Sequence, residues 1–402
     1  MTRIFLDYYS QTPVLPEVQQ AVADALVLGN PSTVHGAGQA AKQALATARA
    51  QVAALLNARP EEIHFTSCGT ESNNWALRGL LAANRRKGSH VIISAIEHPS
   101  ISLVTRRLEL DGTATVTVLP VDGEGVVRPD TLKAALTPET ALVSVMLANG
   151  EVGTVEPIAE LAAIVRAHGA LFHTDAVAAV GHVPVDVKRL GVDALSFAAN
   201  QFYGPAGAAG LFVRESVRLL PLLEGGGQEQ GGRSGTEALP TIVGLGVAAE
   251  MTRHRLGERM AHVARLRDRL RDGLTAKLPG LRLNGSWTAR LPQNLHVCVE
   301  GASSESLVMG LDGAGFAVGL GSACNSKAMR PSHVLKAMGL TEEQAKGALV
   351  LTVGELTTEE EITKALELIP PVVERIQRVT ALTARASNRA IEPSSDRARQ
   401  AA

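Results

Sequence analysis

From about residue 14 to 255, short apolar runs alternate with helical patterns, and this rhythm constrains the fold more than any other feature of the chain. Candidate strands are Ile63–Thr66, His90–Ser94, Ala114–Leu119, Ala141–Met146, Leu171–His173, Ala194–Phe197 and Gly210–Val213. Apart from Ala114–Leu119, with its threonines, they are rich in Val, Ile, Leu and Ala and do not alternate cleanly. Strands of that kind are buried on both faces of a mainly parallel sheet. Helical segments at Ala37–Leu56, Glu71–Arg85, Ile101–Leu110 and Pro157–Ala167 separate them. The βαβα order predicts an α/β sandwich whose ligands bind at the carboxyl edges of the strands.

After about residue 255 the texture changes. Met260–Leu278 is a basic amphipathic helix pattern, read as the solvated face of a packed helix. Strand-like runs follow at Gln293–Glu300 and Ala348–Val353, then a last helix at Thr358–Arg378. The expected organisation is a large domain over 14–255, a smaller α+β domain from 1–13 and 256–380, and a polar, Pro- and Ser-bearing disordered tail over 381–402. A length of 402 residues suits such a division.

Charge and thiols narrow the classes. The net charge of −1 argues against a nucleic-acid or anionic-membrane surface. No apolar run reaches the ~18 residues of a membrane span, and MTRIFLDYYSQ has no signal-peptide pattern. Cys68, Cys298 and Cys324 are too scattered for a disulfide framework or a zinc site, so no metal is expected and a reducing cytoplasm is.

Several segments carry chemistry. In Thr66–Asn74 (TSCGTESNN) a strand gives way to a helix, whose free N–H groups make a phosphate or carboxylate site; an ordinary cap at Thr70 or Ser72 reads equally from the residues. His98 follows a strand and precedes Pro99, so it can lie over a ring, act as a base, or be structural. Asp175 stands just past another strand, either to pair with a ring nitrogen or to cap a helix. In Gly225–Thr236 (GGGQEQGGRSGT), six glycines in twelve residues suit backbone approach to an anion beside Arg233 and Thr236, or a mobile linker. Cys324 lies in a small, polar stretch, GLGSACNSKAMRPSH, where Lys327 and Arg330 would raise its thiolate fraction.

Together these residues resemble the cysteine desulfurases of the NifS/IscS type, in the class V aminotransferase group. The resemblance runs from about residue 3 to 378. It includes Phe5–Asp7, Gly29–His35, TSCGTESNN, Glu97–Pro99, the NGEVGT segment from Asn149, His173–Asp186, the Gly-rich loop, GSACNS and Thr357–Ile362. It implies a fold-type-I pyridoxal-phosphate (PLP) transferase architecture: a mainly parallel sheet flanked by helices plus a smaller α+β domain. It further implies a homodimer, a Schiff-base lysine, and a mobile-loop cysteine that takes sulfur from L-cysteine, leaving alanine and a persulfide for iron–sulfur assembly or thiolation. By position, Cys324 and His98 are the catalytic candidates; Thr70, His98, Asp175 and Thr236 are cofactor-binding, and Arg233 is substrate-binding.

Other family positions are altered. The family's Ser-Gly-His-Lys aligns with Ala198-Ala199-Asn200-Gln201, which puts Gln201 where the Schiff-base lysine belongs. An amide nitrogen delocalised into its carbonyl forms no imine. Gly150, Ala178 and Gln230 stand where the family has Asn, Gln and Arg, and Tyr8-Tyr9-Ser10 where it has Asn-Asn-Ala. Glu355 aligns with the substrate-gripping arginine. Facing a substrate carboxylate at ~4 Å, it would repel by ~4 kcal/mol at an effective dielectric near ~20. The chain has nine lysines, none between 189 and 276, so Lys327 is the one substitute amine near the site by motif position. These changes predict a protein without normal desulfurase activity. It would serve as a partner of an active homologue, an iron–sulfur scaffold or a sulfur acceptor, or as a persulfide relay through Cys324. The alternatives are a repurposed enzyme holding PLP or another ligand without a covalent link, and a working desulfurase using another amine.

Overall fold

A computed structural model of the chain describes residues 3–321 and 332–391. Among the described residues, twelve strands run in chain order: β1 (Ile4–Leu6), β2 (Ile63–Thr66), β3 (His90–Ser94), β4 (Thr115–Leu119), β5 (Thr140–Ser144), β6 (Leu171–Asp175), β7 (Ala194–Ala198), β8 (Ala209–Val213), β9 (Leu281–Leu283), β10 (Asn294–Val299), β11 (Phe316–Val318) and β12 (Ala348–Thr352). Seven form one sheet in the order β2-β8-β7-β6-β5-β3-β4. Every pairing from β7 to β4 is parallel, whereas β8 runs antiparallel to both β7 and β2. The strands β3, β5, β7 and β8 are buried along their whole length, as their largely apolar, non-alternating composition predicts. The edge strand β4 alternates threonine with valine and is largely half-buried or exposed, which explains why it alone departs from the apolar pattern.

The remaining strands lie in a two-stranded sheet, β1 with β11, and a three-stranded sheet, β12-β10-β9. The tripeptide strands β1, β9 and β11 escape the sequence pattern, because three residues are too few for a period to register.

The basic pattern at Met260–Leu278 is the second half of one helix, Leu239–Lys277. Its first half buries Leu239, Ile242, Leu245, Ala248 and Ala249 in the core around β6 and β7. Its second half buries Val263, Leu266, Leu270 and Leu274 in the core of the small sheets. The change of texture near 255 therefore marks a change of neighbours, not a break in the helix. The last helix, Glu359–Ile391, continues beyond Arg378, so the tail expected to be disordered from 381 begins as helix; 392–402 lie outside the described residues. Among the described residues, no helix is long and apolar enough to cross a membrane.

Candidate active site

Three parallel strands, β3, β6 and β7, end on one side of the sheet, and the segments that follow them wall a cavity of about 420 Å³. Thr70, His98 and Asp175 all line it, so three residues singled out from separate segments converge. Asp175 closes β6 and is buried. Its carboxylate accepts from Asn73 Nδ2 at 2.7 Å and from the Val177 N–H at 3.0 Å. Burial pushes its pKa up; the Val177 N–H, His98 and Asn73 oppose the rise. The Val177 contact is a turn within the loop, and no helix starts there.

His98 caps the helix Pro99–Leu110, its Nδ1 accepting from the Ser100 N–H at 3.1 Å. Ser100 Oγ lies 2.8 Å from the same nitrogen and accepts from Asn73 Nδ2 at 2.8 Å. His98, Ser100, Asn73 and Asp175 thus form one connected polar chain. Asn73 and Ser100 escape a reading of the sequence by motif. Their role is to link two loops, and nothing local in the sequence encodes that.

The helix Gly69–Ala83 opens on the cavity, and Cys68, not Thr70 or Ser72, is its N-cap residue. Ser72 instead pairs with Thr66 Oγ1 at 2.7 Å. Glu71 accepts from the Ser67 N–H at 2.9 Å and pairs with Arg233 at 2.8 Å. Arg233 and Thr236 line a separate, smaller cavity of about 110 Å³ and not the main one. The Gly-rich loop is held rather than free. Its buried Glu229 makes a two-pronged pair with Arg49 at 2.6 and 2.7 Å and accepts from the Phe65 N–H at 2.9 Å. Gln230 donates to the Glu61 carbonyl at 3.2 Å.

The altered positions divide. Gly150, Ala178, Ala198, Asn200 and Gln201 line the main cavity. Gln201 Nε2 lies 3.2 Å from the Tyr9 carbonyl and 3.4 Å from that of Ser10, donating to both. Glu355 does not line the cavity. Its carboxylate pairs with Arg259 at 2.6 Å and Arg255 at 3.4 Å, and its N–H donates to Tyr203 Oη at 2.7 Å. Repulsion of a bound carboxylate by Glu355 is therefore not what this geometry delivers; the charge is already neutralised by a buried arginine. Cys324 and Lys327 lie outside the described residues.

Sequence reasoning passed over two buried carboxyls of the lining, Glu97 and Glu151. Burial pushes each up to about 8, and Glu97 Oε2, Glu151 Oε1 and Asn73 Oδ1 have no hydrogen-bond partner among the described residues. Among the described residues, the same lining contains no lysine or arginine.

Known proteins share this frame. The model of the aminotransferase class-V family matches residues 4–364. The cysteine desulfurase IscS of Methanosarcina thermophila is 43% identical over 94% of each chain. That of Clostridium botulinum is 41% identical over 94% of this chain and 96% of its own. A solved NifS-like protein superposes with a TM-score of 0.87 at 34% identity, covering 93% of this chain and 100% of its own. With fold, cavity and sequence agreeing along nearly the whole length, the chain belongs to the class-V aminotransferase family of PLP-dependent, fold-type-I proteins, among its NifS/IscS-type cysteine desulfurases.

Proposed function

We propose that this protein has given up the desulfurase reaction of its family and serves sulfur transfer as a non-catalytic partner and persulfide relay. The observation that carries this reading is Gln201: its amide is bonded to two main-chain carbonyls, and no lysine or arginine shares the described lining. The residues around the cavity do not fit PLP held as an imine. An amide is no amine nucleophile, Ala198 offers no hydroxyl, and the ring of Tyr9 crowds Gly150. Sulfur transfer by this chain therefore bypasses that cofactor.

The relay needs only an accessible thiolate. The outer sulfur of a donor persulfide bonds to the Cys324 sulfur while the donor's own sulfur leaves as thiolate, with no net oxidation. The donor would be an active homologue, and the acceptor an iron–sulfur scaffold or a thiolation protein. A homodimer in the cytoplasm is part of the same proposal.

The cavity favours a second reading, in which a ligand, PLP or another, binds without a covalent link. Buried polar atoms such as Glu97 Oε2 and Asn73 Oδ1 carry a desolvation cost unless something meets them.

The absorbance spectrum of the purified protein, recorded with added PLP and then cysteine, tests both, with alanine assayed in the same tube. The expected result is no cysteine-dependent shift and no alanine. A shifting band with alanine released would instead assign a substitute amine, starting with Lys327. For the relay, radiolabelled sulfur from a persulfidated desulfurase should pass to the wild type and not to Cys324→Ala. Equal labelling of both would remove the relay.

A further inference from the structure

We propose that Tyr9 and Gln201 form one device that closes the β7 end of the cavity, and that Tyr9, not residue 201 alone, excludes a covalently held PLP. The inference deepens the reading above and rests on it. A Cβ built at Gly150 would stand 2.6 Å from Tyr9 Cε2, 3.0 Å from Tyr9 Cδ2 and 3.3 Å from Ala178 Cβ. Real Cβ atoms do not approach an aromatic ring that closely, so position 150 bears no side chain while Tyr9 keeps its place. The ring fills the room that a side chain at 150 would occupy. All three residues line the cavity.

The ring is held from its backbone. The Tyr9 N–H donates to Thr352 Oγ1 at 2.9 Å, and its carbonyl accepts from Gln201 Nε2 at 3.2 Å. The segment is then fastened to the turn after β7. The Thr12 N–H and Oγ1 both donate to the Asn200 carbonyl, at 2.9 and 3.0 Å, and the Tyr203 N–H donates to Thr12 Oγ1 at 2.6 Å. Gln201 is itself fixed, its carbonyl 2.8 Å from His182 Nε2. Through the Tyr9 carbonyl the two positions are coupled, so residue 201 and the Tyr9 ring bear on the same end of the cavity together. A ligand in this cavity is unlinked to residue 201 and meets His98, Asp175 and Thr70 in the same lining.

The test uses PLP itself as the probe on the full-length protein. Wild type, Gln201→Lys, and Gln201→Lys with Tyr9→Asn and Gly150→Asn are each incubated with PLP and reduced with borohydride. Peptide mass then reads whether residue 201 carries the pyridoxyl adduct, and thermal melting checks folding. The expected result is no adduct at 201 in the single variant and a gain of adduct in the triple variant. A single variant that captures PLP as fully as the triple would overturn the proposal. So would a triple variant that melts like the wild type and captures none. An adduct in the wild type at Lys327, with alanine released from cysteine, would sink the non-catalytic reading instead, leaving the comparison between the two variants to decide the role of Tyr9.

Discussion

At the level of single residues, the altered positions are compensated rather than merely lost. Glu355 is the plainest case. The Arg259 side chain is 3% exposed; its guanidinium stacks 4.5 Å from the Tyr203 ring centroid and needs an anion. Removing that anion strands a buried charge, a loss of ~3–5 kcal/mol for well-buried pairs. Because Glu355 is itself 21% exposed, Glu355→Ala is expected near the lower end of that range. Urea unfolding measures it, and Arg259→Met in the same background should restore most of the loss; a single variant as stable as the wild type would refute the pairing. Gly150→Ala makes the second case, costing ~1–3 kcal/mol by overpacking against Tyr9. Tyr9→Ala should relieve it, and a double-mutant cycle reads the coupling. The sequence exposed each replacement at 150, 201 and 355 one at a time. It could not show that Tyr9 answers Gly150 or that Arg259 answers Glu355, because those partners meet across more than ninety residues of chain.

At the level of elements, strands buried on both faces were the legible part. The apolar runs locate β2 to β8 to within one residue, and the loop-side ends of β5 and β6 to within two. The reversal of β8 was not legible, since an apolar run carries no direction. The helix Leu239–Lys277 was only half read, because its buried stripe turns from one core to the other along its length. Two of its glycines make a paired prediction. Gly257 has open space around it, so Gly257→Ala should stabilise by ~0.5–1 kcal/mol through helix propensity. Gly246 faces the helix Gly36–Leu56, where a new Cβ would lie 2.6 Å from Ala48 Cα. Backbone cannot step aside cheaply, so packing outweighs propensity and Gly246→Ala should destabilise by ~1–3 kcal/mol. Calorimetric melting of the two variants separates the cases. If both rise, the helices are not in contact at Gly246.

Across the whole molecule, the frame keeps several titratable groups inside, and this makes its stability pH-dependent with a definite shape. Glu97, Glu151 and Glu156 are held up at about 8 by burial, against 4.5 for a free glutamate. Between those values the folded chain keeps protons that the unfolded chain has lost, so these groups make stability fall as pH rises toward 8. His173 and His296 are pushed down to about 3 and His182 to about 4, mainly by burial, from the ordinary 6.5. Over that span the unfolded chain binds the extra protons, so stability falls as pH drops below 6.5. The two sets oppose each other only between 4.5 and 6.5, which places the maximum there. Above 6.5 the carboxyls act alone. The protein as purified should therefore lose at least ~1.4 kcal/mol from pH 6 to pH 8, the equivalent of one unit of pKa shift. Denaturant unfolding at fixed temperature across pH 4–8.5 measures the curve. Glu97→Gln, which cannot ionise, should flatten the alkaline limb while leaving the acid limb as it is. A stability that climbs from pH 6 to 8 would mean that these carboxyls are ionised in the fold, each with a counter-charge in place.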